Sequence, residues 1–383
     1  MNRTHLLRDI GQSLWLDNIT REMLDNGTLG RYVDEFSITG LTSNPTIFDA
    51  AISNTGAYDD CIRDKVNAGS SGEALFIELA LEDLRRAADL FRPAYDATDG
   101  VDGWASMEIS PLLVNDTAGS IAAAKRIHDQ GGRPNLFVKI PGTPEGIPAI
   151  EESIFAGVPI NVTLLFSRDQ YFAAAHAWLR GIERRIAAGL DPRVPSVASL
   201  FVSRWDKAVG DKVPPDLVNR LGIAIAGCTY RAYRELLASA RWRKLADVGA
   251  QPQRLLWAST GTKDRKAPDT LYIEALAAPD TINTIPEKTL RAFAERGVIR
   301  NVMAEDGGDA ETVLTRIRQV GVDIDTLAAQ LQRDGAQAFV KSWNELLSRI
   351  AVKGRELTDE DGNARLLRSS PPISNHNKLD GAQ

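Results

Sequence analysis

Cysteine and histidine are scarce in this sequence, and long apolar runs are missing. Two cysteines occur in 383 residues, Cys61 and Cys228. They lie far apart without metal-type spacing, which excludes a disulfide framework and a zinc site and fits a reducing compartment. The four histidines, His5, His128, His176 and His376, form no cluster, so no metal is expected. The first ten residues lack the apolar core of a secretory signal. No apolar run approaches the ~18 residues needed to span a membrane. A cytoplasmic protein with no membrane partner is expected. Positive charge is not in excess: 45 Lys and Arg against 51 Asp and Glu leave a formal net charge of −6. That excludes nucleic acid as a general partner, and an anionic ligand has to be held by a few local groups. No solenoid repeat and no glycine-rich linker divides the chain.

What is present is a globular composition, 43% hydrophobic and 25% charged, with a clear alternation. Short β-rich runs at 14–17, 38–42, 104–109, 136–140, 160–165, 196–202, 255–259 and 281–285 are separated by longer helical patterns. Such alternation predicts parallel βαβ units, and about eight of them close a (β/α)8 barrel, the TIM-barrel class of α/β fold. Helical patterns cover 73–91, 118–128, 170–188 and 216–240, and the long stretch 45–103 has room for more than one helix. Helices at 324–332 and 336–351 are expected on the outside of the barrel. A single barrel domain is expected over 1–367, and the polar end 368–383 reads as a disordered tail. A monomer and a homodimer both fit the sequence.

In this fold chemistry sits at the carboxyl ends of the strands. Six predicted strand ends carry reactive groups: Asp17, Asn44, Glu108, Lys139, the pair Asn161 and Thr163, and Ser199 with Arg204 just beyond it. Lys139 lies among Leu136, Phe137, Val138 and Ile140. An apolar strand disfavours the charged ammonium and favours the neutral amine, the form that attacks a ketone to make an imine. Taken alone, a strand-end lysine reaching solvent is the commoner reading. Asp17 suits a base that takes a hydroxyl proton beside a cationic imine, and it equally suits a helix N-cap. Glu108 can move protons through a water during imine chemistry, or form a salt bridge inside the barrel, with Lys139 as the obvious partner. Asn44 precedes Pro45 and by itself reads as a turn residue. Asn161 and Thr163 share a face of one strand, as substrate ligands or as a satisfied barrel layer. Arg204 offers two-pronged phosphate recognition or a surface pair with Asp206. Ser259-Thr-Gly-Thr-Lys-Asp-Arg-Lys266 puts glycine and basic groups where barrels commonly hold phosphate, without the spacing of a nucleotide P-loop.

Taken in chain order, these pieces resemble the transaldolase family. The matching runs are Leu-Trp-Leu-Asp17-Asn, Gly-Leu-Thr-Ser-Asn44-Pro-Thr-Ile-Phe, Met-Glu108-Ile-Ser-Pro, Phe-Val-Lys139-Ile-Pro-Gly-Thr, Ile-Asn161-Val-Thr163-Leu-Leu-Phe-Ser and Ala-Ser199-Leu-Phe201-Val-Ser-Arg204. The chain length and the run Leu-Leu-Trp-Ala-Ser-Thr-Gly-Thr-Lys263 look like the long bacterial branch. The resemblance implies a class I, Schiff-base aldolase-type barrel that needs no cofactor. It implies imine formation at Lys139, a base at Asp17, and a catalytic water held by Glu108 and Thr163. It also implies a dihydroxyacetone unit bound by Asn44, Asn161 and Ser199, and phosphate on Arg204. The implied partners are sugar phosphates. The unit would pass from sedoheptulose 7-phosphate to glyceraldehyde 3-phosphate, giving erythrose 4-phosphate and fructose 6-phosphate.

The sequence departs from the family at one place. Much of the family carries a second phosphate-binding arginine after strand seven, in Ala-Ser-Phe-Arg-Asn. Here the stretch reads Ala258-Ser259-Thr260-Gly261-Thr262, leaving Lys263, Arg265 or Lys266 as substitutes. Three rivals are weighed against this reading. A direct aldolase resembling the shorter fructose 6-phosphate aldolases tends to have Gln in place of Glu108 and Tyr in place of Phe201. A fusion with glucose-6-phosphate isomerase is not expected of a chain ending in a polar tail. A barrel that binds sugar phosphate without catalysis would be expected to lose Lys139, Asp17 or Glu108.

Overall fold

Strand runs buried on both faces must be covered on both sides, and a closed barrel wrapped in helices achieves this without leaving an edge. In the computed structural model, which describes residues 3–369, the strands are β1 (Ser13–Leu16), β2 (Ile38–Thr42), β3 (Trp104–Glu108), β4 (Leu136–Pro141), β5 (Ile160–Leu165), β6 (Ser196–Phe201), β7 (Gln253–Ala258) and β8 (Thr281–Ile285). All pair in parallel in sequence order, and β8 pairs with β1 to close the ring. Every strand residue is buried except Ser13 and Thr39, which are half-buried. The eight predicted strands are all present, with ends shifted by no more than two residues.

Aromatic rings fill the barrel. Trp104 stacks on Phe137 with ring centroids 3.9 Å apart, and Trp15 tilts against the same ring at 6.3 Å. Gly40 on β2 makes this possible, because a Cβ there would lie 2.6 Å from the Trp15 ring and from the Trp104 carbonyl. The amino-terminal end is sealed by Asp102, which accepts from Trp15 Nε1 at 2.9 Å, from Thr39 Oγ1 at 2.8 Å and from Ser13 Oγ.

Three helices, Pro45–Asn54, Asp59–Asn67 and Gly72–Ala97, fill the long stretch between β2 and β3. The third runs beyond the end expected before Pro93. Asp89 and Pro93 face solvent, so the carbonyl left without a donor is open to water. The single helix expected over 216–240 is instead a turn at Pro215–Leu217, a helix Leu221–Ala238 and another at Ala240–Ala246. Asn219 sits at φ +60° and breaks the run.

The largest departure is at the other end of the chain. The helices expected at 324–332 and 336–351 are one continuous helix, Ile324–Ser369. It packs on the outer helices Pro45–Asn54, Asp59–Asn67 and Gly72–Ala97, as expected, and also reaches over the barrel mouth. Gln332 reaches carbonyls at the ends of β4 and β5, and Phe339 lines the barrel mouth. Arg368 and Ser369, placed in the expected tail, belong to this helix, and residues 370–383 lie outside the described residues. Among the described residues no helix is long and apolar enough to cross a membrane. None of them gather three or more His, Cys, Asp or Glu as a metal ion would need.

Candidate active site

Strand register builds the site. Glu108 on β3 pairs in register with Lys139 on β4, and Lys139 with Asn161 on β5. Three polar side chains thus stand in a row near the carboxyl end of the barrel. Lys139 is 6% exposed and Glu108 7%. Lys139 Nζ donates to Glu108 Oε1 at 2.5 Å and to the Ser43 carbonyl at 3.1 Å. The reading of Lys139 as a strand-end lysine reaching solvent is therefore set aside, and the anticipated internal salt bridge is present.

Burial pushes the Glu108 carboxyl above the usual carboxylate range. Lys139 works against that rise, as does Arg204, while Asp17 adds to it. Asp17 is likewise raised by burial and opposed by Lys139, by the Thr42 hydroxyl and by Lys263. Lys139 therefore acts on two carboxyls that both hold protons more tightly than usual.

Asp17 is not the helix cap that it might have been. Thr20 caps the following helix, accepting from Met23 N at 3.1 Å. The Asp17 carboxylate instead accepts from Thr42 Oγ1 at 2.9 Å, and Thr42 Oγ1 lies 2.7 Å from Thr284 Oγ1. Asn44 does act as a cap, its Oδ1 accepting from Ile47 N at 3.1 Å, but it also faces the mouth.

A cavity of about 610 Å³ opens at the mouth. Asp17, Asn44, Lys139, Thr163, Ser199 and Arg204 all line it. The two remaining sequence candidates stand behind the lining. Glu108 is held on Lys139, and Asn161 accepts from Ser199 Oγ at 2.7 Å while its amide donates to Ser106 Oγ at 3.2 Å. The Thr163 hydroxyl is buried and finds no protein partner among the described residues, which suits it to a bound water or ligand.

Arg204 is half-buried and pairs with no carboxylate among the described residues; the alternative, a surface arginine paired with Asp206, is not what forms. Asp206 instead caps the helix Leu221–Ala238 through Leu221 N at 2.9 Å and Gly222 N at 3.2 Å, and accepts from Tyr272 at 2.8 Å. The Arg204 guanidinium carbon lies 5.0 Å from the Phe201 ring centroid and 5.9 Å from that of Phe339. Of the three basic candidates after β7, Lys263 lines the cavity, whereas Lys266 borders a neighbouring one.

Several lining or supporting residues were not anticipated from sequence: Thr42, Ser43, Ser106, Thr284 and Phe339. Ser106 lies two residues before Glu108 on one strand, so the spacing that linked Asn161 to Thr163 would have found it. Thr284 precedes the last residue of β8, a strand end that supplied no candidate. Phe339 arrives from a helix remote in sequence and carried no signal.

The chain is thus a closed parallel α/β barrel with a buried lysine–carboxylate pair near its mouth. Residues 14–350 match the family model described as Transaldolase/Fructose-6-phosphate aldolase, and the chain belongs to that family. A "Transaldolase" of Thermobifida fusca is 43% identical over 355 residues, 90% of this chain and 96% of that protein. One from Frankia alni is 43% identical over 360 residues, covering 91% and 97%. "Transaldolase 2" of Nostoc punctiforme is 37% identical over 379 residues, covering 94% and 100%.

Proposed function

We infer that this chain is an enzyme that acts as a transaldolase in the pentose phosphate pathway. It moves a dihydroxyacetone unit from sedoheptulose 7-phosphate to glyceraldehyde 3-phosphate. The observation that carries the reading is the buried Lys139–Glu108 pair, 2.5 Å apart, whose Lys139 lines a cavity that Asp17 shares. The relatives named above, matched over nearly their whole length, support it.

The chemistry follows from the geometry. Lys139 must lose a proton before it attacks, and the raised Glu108 carboxyl beside it is suited to receive that proton. The amine adds to the C2 ketone, water leaves, and a cationic imine forms. Asp17 takes the proton of the C4 hydroxyl. The C3–C4 bond breaks, its electrons flow into the imine, and erythrose 4-phosphate departs. The three-carbon enamine left on Lys139 attacks the aldehyde of glyceraldehyde 3-phosphate, and Asp17 returns its proton to the new hydroxyl. Hydrolysis of the imine, through a water held by Glu108 and Thr163, releases fructose 6-phosphate. Asn44, Asn161 and Ser199 hold the hydroxyls of the transferred unit. No step calls for a cofactor.

The phosphate falls to Arg204, unpaired among the described residues and edging the cavity. Lys263, exposed on a flexible stem, is the second cation in place of the absent arginine.

Borohydride reduction in the presence of fructose 6-phosphate is expected to add a reduced dihydroxyacetone unit at Lys139. Peptide mapping that places the adduct on another residue, or finds none, sinks the mechanism. Omitting and supplying erythrose 4-phosphate separates transferase from aldolase. Free dihydroxyacetone accumulating at equal rates in both cases favours the aldolase.

A further inference from the structure

The long helix Ile324–Ser369 presents Gln332, Gly335 and Phe339 at spacings of three and four, on one face. All three meet the barrel mouth. Gln332 is buried, and its Nε2 donates to the Gly142 carbonyl at 3.0 Å and the Leu164 carbonyl at 2.9 Å. Leu164 needs this partner. It sits at φ +58° where the β5–β6 register shifts, so its carbonyl is displaced from regular pairing.

Gly335 comes next. A Cβ there would lie 2.9 Å from Leu164 Cδ2 and 3.0 Å from Arg204 Nη1. Glycine inside a helix is disfavoured relative to alanine, and this close approach supplies the physical reason for it. One turn further, Phe339 brings its ring to 5.9 Å from the Arg204 guanidinium, which Phe201 flanks at 5.0 Å.

We propose that Gln332, Gly335 and Phe339 form a strip that positions Arg204, making the long helix a determinant of specificity for phosphorylated sugars. Gln332 fixes the helix to the strand ends. Gly335 opens the space that the guanidinium occupies. Phe339 and Phe201 restrict its swing, so that its donors stay at the cavity wall. The inference rests on reading Arg204 as the phosphate-binding residue. These are positioning residues: none is asked to touch reacting atoms.

The test compares glyceraldehyde 3-phosphate with unphosphorylated glyceraldehyde as acceptor, in wild type, Gly335→Ala and Phe339→Leu. The ratio of their kcat/KM values is expected to fall roughly tenfold in each variant, through KM for the phosphorylated acceptor. Inorganic phosphate is expected to weaken as a competitive inhibitor by a similar factor. Phe339→Leu keeps the test alive should Gly335→Ala not fold. An unchanged ratio, or an equal loss on both acceptors, overturns the proposal while leaving Arg204 as the phosphate ligand. A wild type that neither prefers the phosphorylated acceptor nor responds to phosphate overturns both.

Discussion

At the scale of single residues, the site turns on how one ammonium is shared. Glu108 and Asp17 are both raised by burial, and Lys139 opposes both shifts. Each carboxyl therefore gives up its proton at higher pH than an exposed one. A step that needs ionised Glu108 is lost as pH falls through this raised value. The acid limb of kcat should accordingly lie above the ordinary carboxylate range. Glu108→Gln removes the proton acceptor but keeps the shape, so kcat should drop by about 10²–10⁴ with KM little changed. The variant also assigns the limb. If a profile of residual activity keeps the same acid limb, that limb belongs to Asp17 and the role given to Glu108 fails.

Among the elements, the helix Leu221–Ala238 depends on a carboxyl that the sequence made look like an ion-pair partner. Asp206 receives two backbone N–H groups at the start of that helix, and burial raises it from 3.8 to about 6. A carboxyl raised on folding binds its proton more tightly in the folded chain than in the unfolded one. Its contribution is fully present below the unfolded value and is lost as pH rises through the folded value. Between those two values, 3.8 and about 6, the loss amounts to roughly 3 kcal/mol. Asp206→Asn cannot titrate. The stability advantage of wild type over the variant should therefore shrink by roughly that amount between pH 4 and pH 7. Urea midpoints that keep a constant gap across this range would contradict the assignment.

The same elements show what a reader of the sequence can and cannot see. The strands were legible because burial on both faces leaves unbroken apolar runs such as 136–140, bounded by turns. Asp17, Glu108, Lys139 and Thr163 were legible because in a barrel a strand end is a site position. The single helix Ile324–Ser369 was not, because Arg333, Asp334 and Gly335 look like a break. Gly335 lies close to Leu164 and Arg204, a tertiary approach that no local pattern reports. Phe339 stayed hidden for a related reason. A distant helix brings it to the mouth, and no local period reports that.

Across the whole molecule, the chain wraps the barrel and then closes on its own beginning. Thr46 Oγ1 meets Ser342 Oγ at 3.0 Å, Arg349 pairs with Asp49 at 2.6 Å, and Lys353 pairs with Asp59 at 2.5 Å. Trp343, 1% exposed, packs edge-on against Phe76 at 5.0 Å, and Phe76 against Phe48 at 5.3 Å. Two kinds of contact thus join the same distant segments, and their magnitudes decide which one holds the wrap. Arg349 is 47% exposed in its side chain, and pairs of that kind contribute about 0–1 kcal/mol. Emptying a buried tryptophan site costs about 3–5 kcal/mol, a large part of the 5–15 kcal/mol, roughly, by which folded domains are stable. Trp343→Ala should therefore lower the unfolding free energy by about 3–5 kcal/mol, and Arg349→Ala by less than about 1 kcal/mol. Urea denaturation of the two variants decides it. Equal losses would mean that the exposed ion pairs, and not the aromatic cluster, fasten the long helix and with it the residues that meet Arg204.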